Sequence, residues 1–196
     1  MITLISVGGW IAIGFAVLIV FLAIWIVSWG IGTYNKLVKG RNKVKNSWAQ
    51  IDVQLKRRFD LIPNIVETVK GYAAHEKSIL EEFAKARKLY DTGAGEGSVG
   101  KMAEANAQLS KLIAITVERY PELKADTQFI KLQETLNDTE NKIAFARQFY
   151  NDVVLSFNNS REVFPSNIIA NMFGFKEAEL FKIVKEEEKE APKVKF

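Results

Sequence analysis

The stretch VKNSWAQIDVQLKRRFDLIPNIVETVKGYAAHEKSILEEFAKARKLY, residues 44–90, decides the fold. Its apolar residues return every three or four positions, the period of a helix with one buried stripe. One seam position holds Val44, Ile51, Arg58, Ile65, Tyr72, Ile79 and Ala86, and the other holds Trp48, Leu55, Ile62, Val69, Glu76, Phe83 and Tyr90. A single helix from Lys36 to Tyr90, about 80 Å long, is the simplest reading. Pro63 lies inside it, where it removes one N–H donor and crowds the carbonyl four residues earlier. The seam keeps its phase across Leu55, Ile62 and Val69, so the sequence predicts a kink there rather than a break.

Further along, Asp91-Thr92-Gly93-Ala94-Gly95-Glu96-Gly97-Ser98 is a cluster of turn formers and reads as a loop. Its Gly-x-Gly-x-Gly spacing resembles a phosphate cradle, but no strand pattern precedes it, and a plain connection is expected. Val99–Arg119 reads as a second amphipathic helix that Pro121 ends or bends. A third is expected from Glu122 to Ser160, with Phe129, Leu136, Ile143, Tyr150 and Phe157 on one seam and Leu132, Thr139, Ala146 and Val153 on the other. Ser166-Asn167 can cap a short helix carrying Ile168, Ile169, Met172 and Phe173. Leu180, Phe181, Ile183 and Val184 form a last apolar patch before a tail of mixed charge.

In the other direction, Met1–Asn35 contains no ionisable side chain other than Tyr34. A hydrocarbon core of about 30 Å needs roughly 20 apolar helical residues. Trp10 and Trp29 bracket such a stretch, about 28 Å apart on a helix, and Trp25 and Tyr34 add to the inner aromatic belt. Lys36, Lys39, Arg41, Lys43 and Lys45 follow the span, so the positive-inside rule puts the C-terminal side in the cytoplasm and the N-terminus outside. A cleaved signal peptide would need a positive leading region, a shorter apolar core and a small-residue cleavage site, and these are missing. Anionic lipid bound through the same five cations is an additional expectation. Gly8, Ala12 and Ala16 make a small-xxx-small series, which suits close helix packing in lipid as well as it suits ordinary filler.

The resulting fold class is all-α: a single N-terminal transmembrane helix followed by a long-helix antiparallel bundle of four-helix, up-and-down type. Residues 1–9 are expected to be a short external N-terminus, 10–35 the span, 36–184 a cytoplasmic bundle and 185–196 a charged flexible tail. The chain lacks cysteine, in keeping with a reducing compartment, and its net charge of +4 resides largely in the juxtamembrane cluster. No basic stripe with interleaved aromatics argues for nucleic acid as a partner. His75 is the single histidine, beside Glu76, and offers neither the ligand count nor the spacing of a zinc site. No catalytic residue, cofactor site or metal site is expected.

Charges on the seams are the exception to a plain bundle. Arg58 and Glu76 occupy positions where apolar residues belong, while Asp138, Glu140, Asn141, Arg147 and Asn151 crowd the seam of the third helix from both sides. A buried charge is costly unless paired, so Arg58 is expected to meet a carboxylate, with Glu140 the first candidate. A register-setting contact inside the bundle and a functional polar pocket both fit these residues.

Several motifs resemble the LemA family of bacterial membrane proteins. They are Trp48-Ala49-Gln50-Ile51-Asp52-Val53-Gln54-Leu55-Lys56-Arg57-Arg58 with Asp60-Leu61-Ile62-Pro63-Asn64, then Val69-Lys70-Gly71-Tyr72, His75-Glu76-Lys77 and Ala86-Arg87. Tyr120-Pro121-Glu122-Leu123-Lys124-Ala125, Glu140-Asn141-Lys142-Ile143-Ala144, Ala146-Arg147-Gln148-Phe149-Tyr150-Asn151, Phe164-Pro165-Ser166-Asn167 and Phe173-Gly174-Phe175 continue it. The resemblance implies one span, an external N-terminus and a cytoplasmic bundle. Through the family's likeness to magnetosome proteins it also implies a part in membrane organisation, and it brings no reaction with it. The function expected is a non-enzymatic, membrane-anchored scaffold or adaptor that forms a homo-oligomer. The alternative is a monomeric sensor that binds an unidentified protein partner.

Overall fold

The computed structural model describes residues 7–72 and 76–182. His75, Ile183, Val184, the expected tail and most of the expected N-terminal segment lie outside the described residues. Helices make up nearly all the rest: α1 (Val7–Phe59), α2 (Ile62–Lys70), α3 (Lys77–Glu96), α4 (Val99–Arg119), a 3-10 turn at Pro121–Ala125, α5 (Thr127–Glu162) and α6 (Ser166–Met172). No strand occurs among the described residues, as the sequence predicts.

Two compact units divide the chain. The first comprises residues up to Asn42 with Ser156–Glu177, and the second comprises Lys43–Leu155 with the segment from Ala178 onward. Within the second unit, Trp48 of α1 lies 5.5 Å from Tyr150 of α5, and Arg58, ten residues further along α1, pairs with Glu140, ten residues earlier on α5. The two helices are therefore antiparallel. α3 and α4 form a hairpin, and Tyr90 of α3 stacks on Phe59 at 4.2 Å. With α2 continuing the α1 column, the second unit is an up-and-down four-helix bundle.

The long seam closes inside this one chain. Ile51, Leu55, Ile62, Ile65, Val69, Ile79, Phe83, Ala86 and Tyr90 are all buried, together with Met102, Leu109, Phe129, Leu136, Ile143 and Tyr150. On α5 the late seam position moves from the expected Val153 to Val154, the drift of a 3.6-residue helix against a 3.5-residue repeat.

Three expectations need correction. The single helix to Tyr90 is divided into α1, α2 and α3, with breaks at Asp60-Leu61 and after Lys70. Pro63 has no N–H for the Phe59 carbonyl, which instead accepts a hydrogen bond from Arg87 Nη1 at 3.3 Å. The helix thus ends where its own donor is lacking, and a neighbouring helix satisfies the acceptor. The expected loop at residues 91–98 is mostly helix, because α3 runs on to Glu96. Gly97 then adopts φ +66°, and Ser98 N–H donates to the Gly93 carbonyl at 2.8 Å in a Schellman closure. Finally, the third long helix begins at Thr127 rather than Glu122, since Pro121 opens a 3-10 turn. Asp126 caps α5 by accepting from the Gln128 and Phe129 N–H groups at 2.8 and 2.9 Å.

Candidate functional site

The first unit carries the apolar part of α1. A core helix of a water-soluble protein would be covered by its own chain; the most apolar window of α1 has none of its residues buried. Trp10 and Trp25 are exposed, Trp29 is half-buried, and Lys36, Lys39, Arg41, Lys43 and Lys45 are all exposed. Gly8, Ala12 and Ala16 are likewise on the open surface. Tyr34 has partners of its own, with its ring 4.7 Å from Phe173 and 5.7 Å from Phe175. Arg41 lies over the Phe175 ring at 5.2 Å, a cation–π contact. Gly40 permits the close approach of Phe157, whose ring would come within 3.0 Å of an added Cβ.

The second unit holds a polar centre around Arg58, which is only 3% exposed. Its Nη1 donates to Asn106 Oδ1 at 2.5 Å and pairs with Glu140 Oε2, while Nη2 donates to Ser110 Oγ at 3.0 Å. Ser110 in turn donates to the Asn106 carbonyl at 3.1 Å. Burial pushes the guanidinium down to about 10, so it remains a cation at neutral pH. The centre joins α1, α4 and α5 through one planar fork, and its geometry suits fixing helix register.

The other expected network residues lie apart from it. Glu76 precedes α3 and pairs with Arg119 at 2.9 Å; hydrogen bonds from Tyr120 and Arg119 hold its carboxyl below the usual range. Among the described residues, no hydrogen bond joins Asn141 or Arg147 to Arg58; Asn141 lines an outer groove instead. Asn106 and Ser110 are the members that spacing alone does not nominate, although Asn106 falls on the same helical face as Met102 and Leu109, where an amide is out of place.

A second polar device fixes the end of the described chain. The Asn151 side chain accepts from the Phe181 N–H at 2.9 Å and donates to the Phe181 carbonyl at 3.2 Å, as a neighbouring strand would. Tyr150 donates to the Glu179 carbonyl at 2.7 Å, and burial pushes its phenol up to about 12. Phe181 is thereby held in the core, 6.1 Å from Trp48.

On the outside of α1 and α5 lies an open groove of about 690 Å³ lined by Ala49, Gln50, Val53, Asn141, Phe145 and Ala146 among others. Phe145 is 79% exposed, and Val53 and Phe149 are exposed beside it. Large apolar side chains clustered on an outer face mark an interaction surface.

A bare apolar helix long enough to cross a membrane, together with a four-helix bundle, defines an all-α protein of the membrane-associated class. The chain belongs to the LemA family, whose family model matches residues 47–196. Among its relatives, Magnetosome protein MamQ 2 of Paramagnetospirillum magneticum is 26% identical over 175 residues, covering 76% of this chain and 64% of the relative. MamQ of Magnetospirillum gryphiswaldense shows the same identity and coverage. Protein LemA of Metamycoplasma hominis is 23% identical over 141 residues, covering 71% of this chain and 64% of the relative. The matches thus span a little under two thirds of these relatives' length.

Proposed function

We propose that this protein is a non-enzymatic scaffold of the bacterial inner membrane, with its N-terminus outside and its bundle in the cytoplasm, that self-assembles through the α1–α5 groove. The observation that carries this reading is the exposed trio Val53, Phe145 and Phe149 on a bundle whose heptad seam is already filled. With the seam used up inside one copy, association needs another apolar face, and this groove is one. Phe145 projects as a knob beside the small floor residues Ala49 and Ala146, so one surface carries both halves of a two-fold contact. The five cations after the span support the orientation. Relatives named as magnetosome proteins support a place in membrane organisation.

The test uses the lack of cysteine in the chain. Phe145→Cys should crosslink to a second copy in native membranes, and Phe145→Lys with Phe149→Lys should convert a defined oligomer in mild detergent to a monomer without lowering its melting temperature. A wild-type chain that is monomeric at membrane-like concentration overturns self-assembly. Crosslinking of residue 145 to a different protein alone would favour the monomeric, partner-binding alternative.

A further inference from the structure

The segment Val163-Phe164-Pro165-Ser166-Asn167-Ile168-Ile169-Ala170-Asn171-Met172-Phe173-Gly174-Phe175 contains no charged residue, whereas Arg161-Glu162 and Lys176-Glu177 flank it closely. Part of it turns inward. Ile169 and Ala170 are buried, and Ile169 Cδ1 lies 3.8 Å from the position a Cβ would take on Gly30 of α1. Phe173 rests on Tyr34. These contacts fix the height of α6 along α1. It sits beside Gly30–Tyr34, directly after Trp29 and before Lys36, the first cation on the chain.

The remainder turns outward and is apolar. Phe164 is 79% exposed and Met172 69%, with Val163, Ile168 and Phe173 also more than half or about half uncovered. Ile168 and Met172 are one helical turn apart, so they share a face, and Phe164 stands just ahead of it. Five large apolar side chains open to water would be a liability on a soluble surface. At the level of the inner aromatic belt, water is not what they meet.

We propose that the Phe164–Phe173 corner is a second membrane contact: its outward face enters the cytoplasmic leaflet of the bilayer that α1 spans. The occupant is lipid, argued from the continuity of this corner, which packs on Gly30 and Tyr34, with the bare apolar surface of α1 that precedes them. The chemistry is that of an interfacial amphipathic element, with apolar side chains at the acyl boundary and the exposed Lys176 and Arg41 available to the headgroups. A single helix can tilt and rotate in a bilayer, but a helix with a lipid-inserted corner beside it has a fixed azimuth. The first unit is then a two-point mount rather than a tether. The inference rests on the membrane anchoring of α1 and adds to it.

The experiment uses nitroxide labels at single cysteines introduced into the full chain, reconstituted in phosphatidylethanolamine–phosphatidylglycerol vesicles. Labels replace Phe164 and, independently, Met172, with Val20→Cys as the reference in the span and Lys111→Cys as the reference in water; all four native side chains are exposed or half-exposed. Collision with dissolved oxygen against a water-soluble nickel chelate reports depth. The expected result is a several-fold excess of oxygen over nickel collisions at 164 and 172, less than at 20, and the reverse at 111. If the label at 20 is lipid-immersed while those at 164 and 172 behave like 111, the corner proposal falls and the anchor stands. If the label at 20 is itself in water, both fall. Labels at 164 and 172 shielded from both relaxants would show a protein cover and also overturn the proposal.

Discussion

Removing Glu140 should destabilise the bundle more than the partial exposure of its carboxylate suggests, and the loss should shrink when Arg58 is removed as well. Glu140 is 38% exposed, but Arg58 is 4% exposed at the side chain, so deleting the carboxylate leaves a guanidinium in the core with only neutral acceptors. Breaking a buried pair costs about 3–5 kcal/mol, and the two remaining hydrogen bonds to Asn106 and Ser110 argue for the lower end, about 3 kcal/mol for Glu140→Ala. Arg58→Met removes the charge and keeps the volume; its main penalty is the stranded Asn106 amide, itself 1% exposed, worth about 2 kcal/mol. Independent effects would total about 5 kcal/mol in the double variant, whereas coupling through one ion pair leaves about 2–3 kcal/mol. The assay is loss of helical circular dichroism on heating or in urea, for the full chain in mild detergent. At about 2–4 °C per kcal/mol for a unit of this size, Glu140→Ala lowers the midpoint by roughly 6–12 °C and Arg58→Met/Glu140→Ala by no more. Losses that add to within about 0.5 kcal/mol would refute the pairing argument.

The three glycines at the end of α3 should respond with different signs in the same assay. Gly93→Ala places a Cβ 3.1 Å from the Met102 backbone nitrogen and should destabilise by about 1–2 kcal/mol, Gly97→Ala forces φ +66° on alanine and should cost about 1 kcal/mol, and Gly95→Ala, with nothing within 4 Å, should stabilise by about 0.5–1 kcal/mol. Asn151→Ala frees both backbone groups of Phe181; at about 2 kcal/mol for the pair, tryptic cleavage after Lys182 should accelerate roughly 30-fold, read by limited proteolysis with mass detection. Acid should weaken the bundle through Asp126 and Glu76. The Phe129 N–H and the Tyr72 hydroxyl hold Asp126 below the usual range, and Tyr120 and Arg119 do the same for Glu76. Because the folded values lie below the unfolded ones, the stabilisation is complete above about pH 5 and is lost as pH falls through the folded values. Asp126→Asn with Glu76→Gln should flatten the stability profile in that acid window, and an unchanged slope would contradict the assignment.

Much of this fold is legible in the spacing of apolar residues, and the places where spacing misleads have physical causes. The seam reads straight through Pro63 because Leu61 keeps right-handed helical angles, φ −81° and ψ −14°, so the chain loses its hydrogen-bond ladder there without losing its phase. Heptad counting records phase alone, and a break that preserves phase is invisible to it. The run Asp91–Glu96 misleads in the opposite sense: its residues are poor helix formers, but Gly93 lets α3 approach α4 at Met102, and tertiary packing outweighs local propensity. The partners of Asn106, Ser110 and Asn151 could not be assigned from their own elements, since each lies 30 to 52 residues away in sequence, and only the folded chain shows which donor faces which acceptor. The exposed apolar residues follow a different logic. Phe145 and Phe149 sit off the seam of α5, and Phe164, Ile168 and Met172 lie outside any long seam, so a pattern search treats both groups as noise around a core. Once the bundle has buried its seams without them, their clustered exposure is the observation on which both proposals rest. The neighbour we propose differs by location: a second copy for a groove on the bundle, and lipid for a corner packed beside the apolar span.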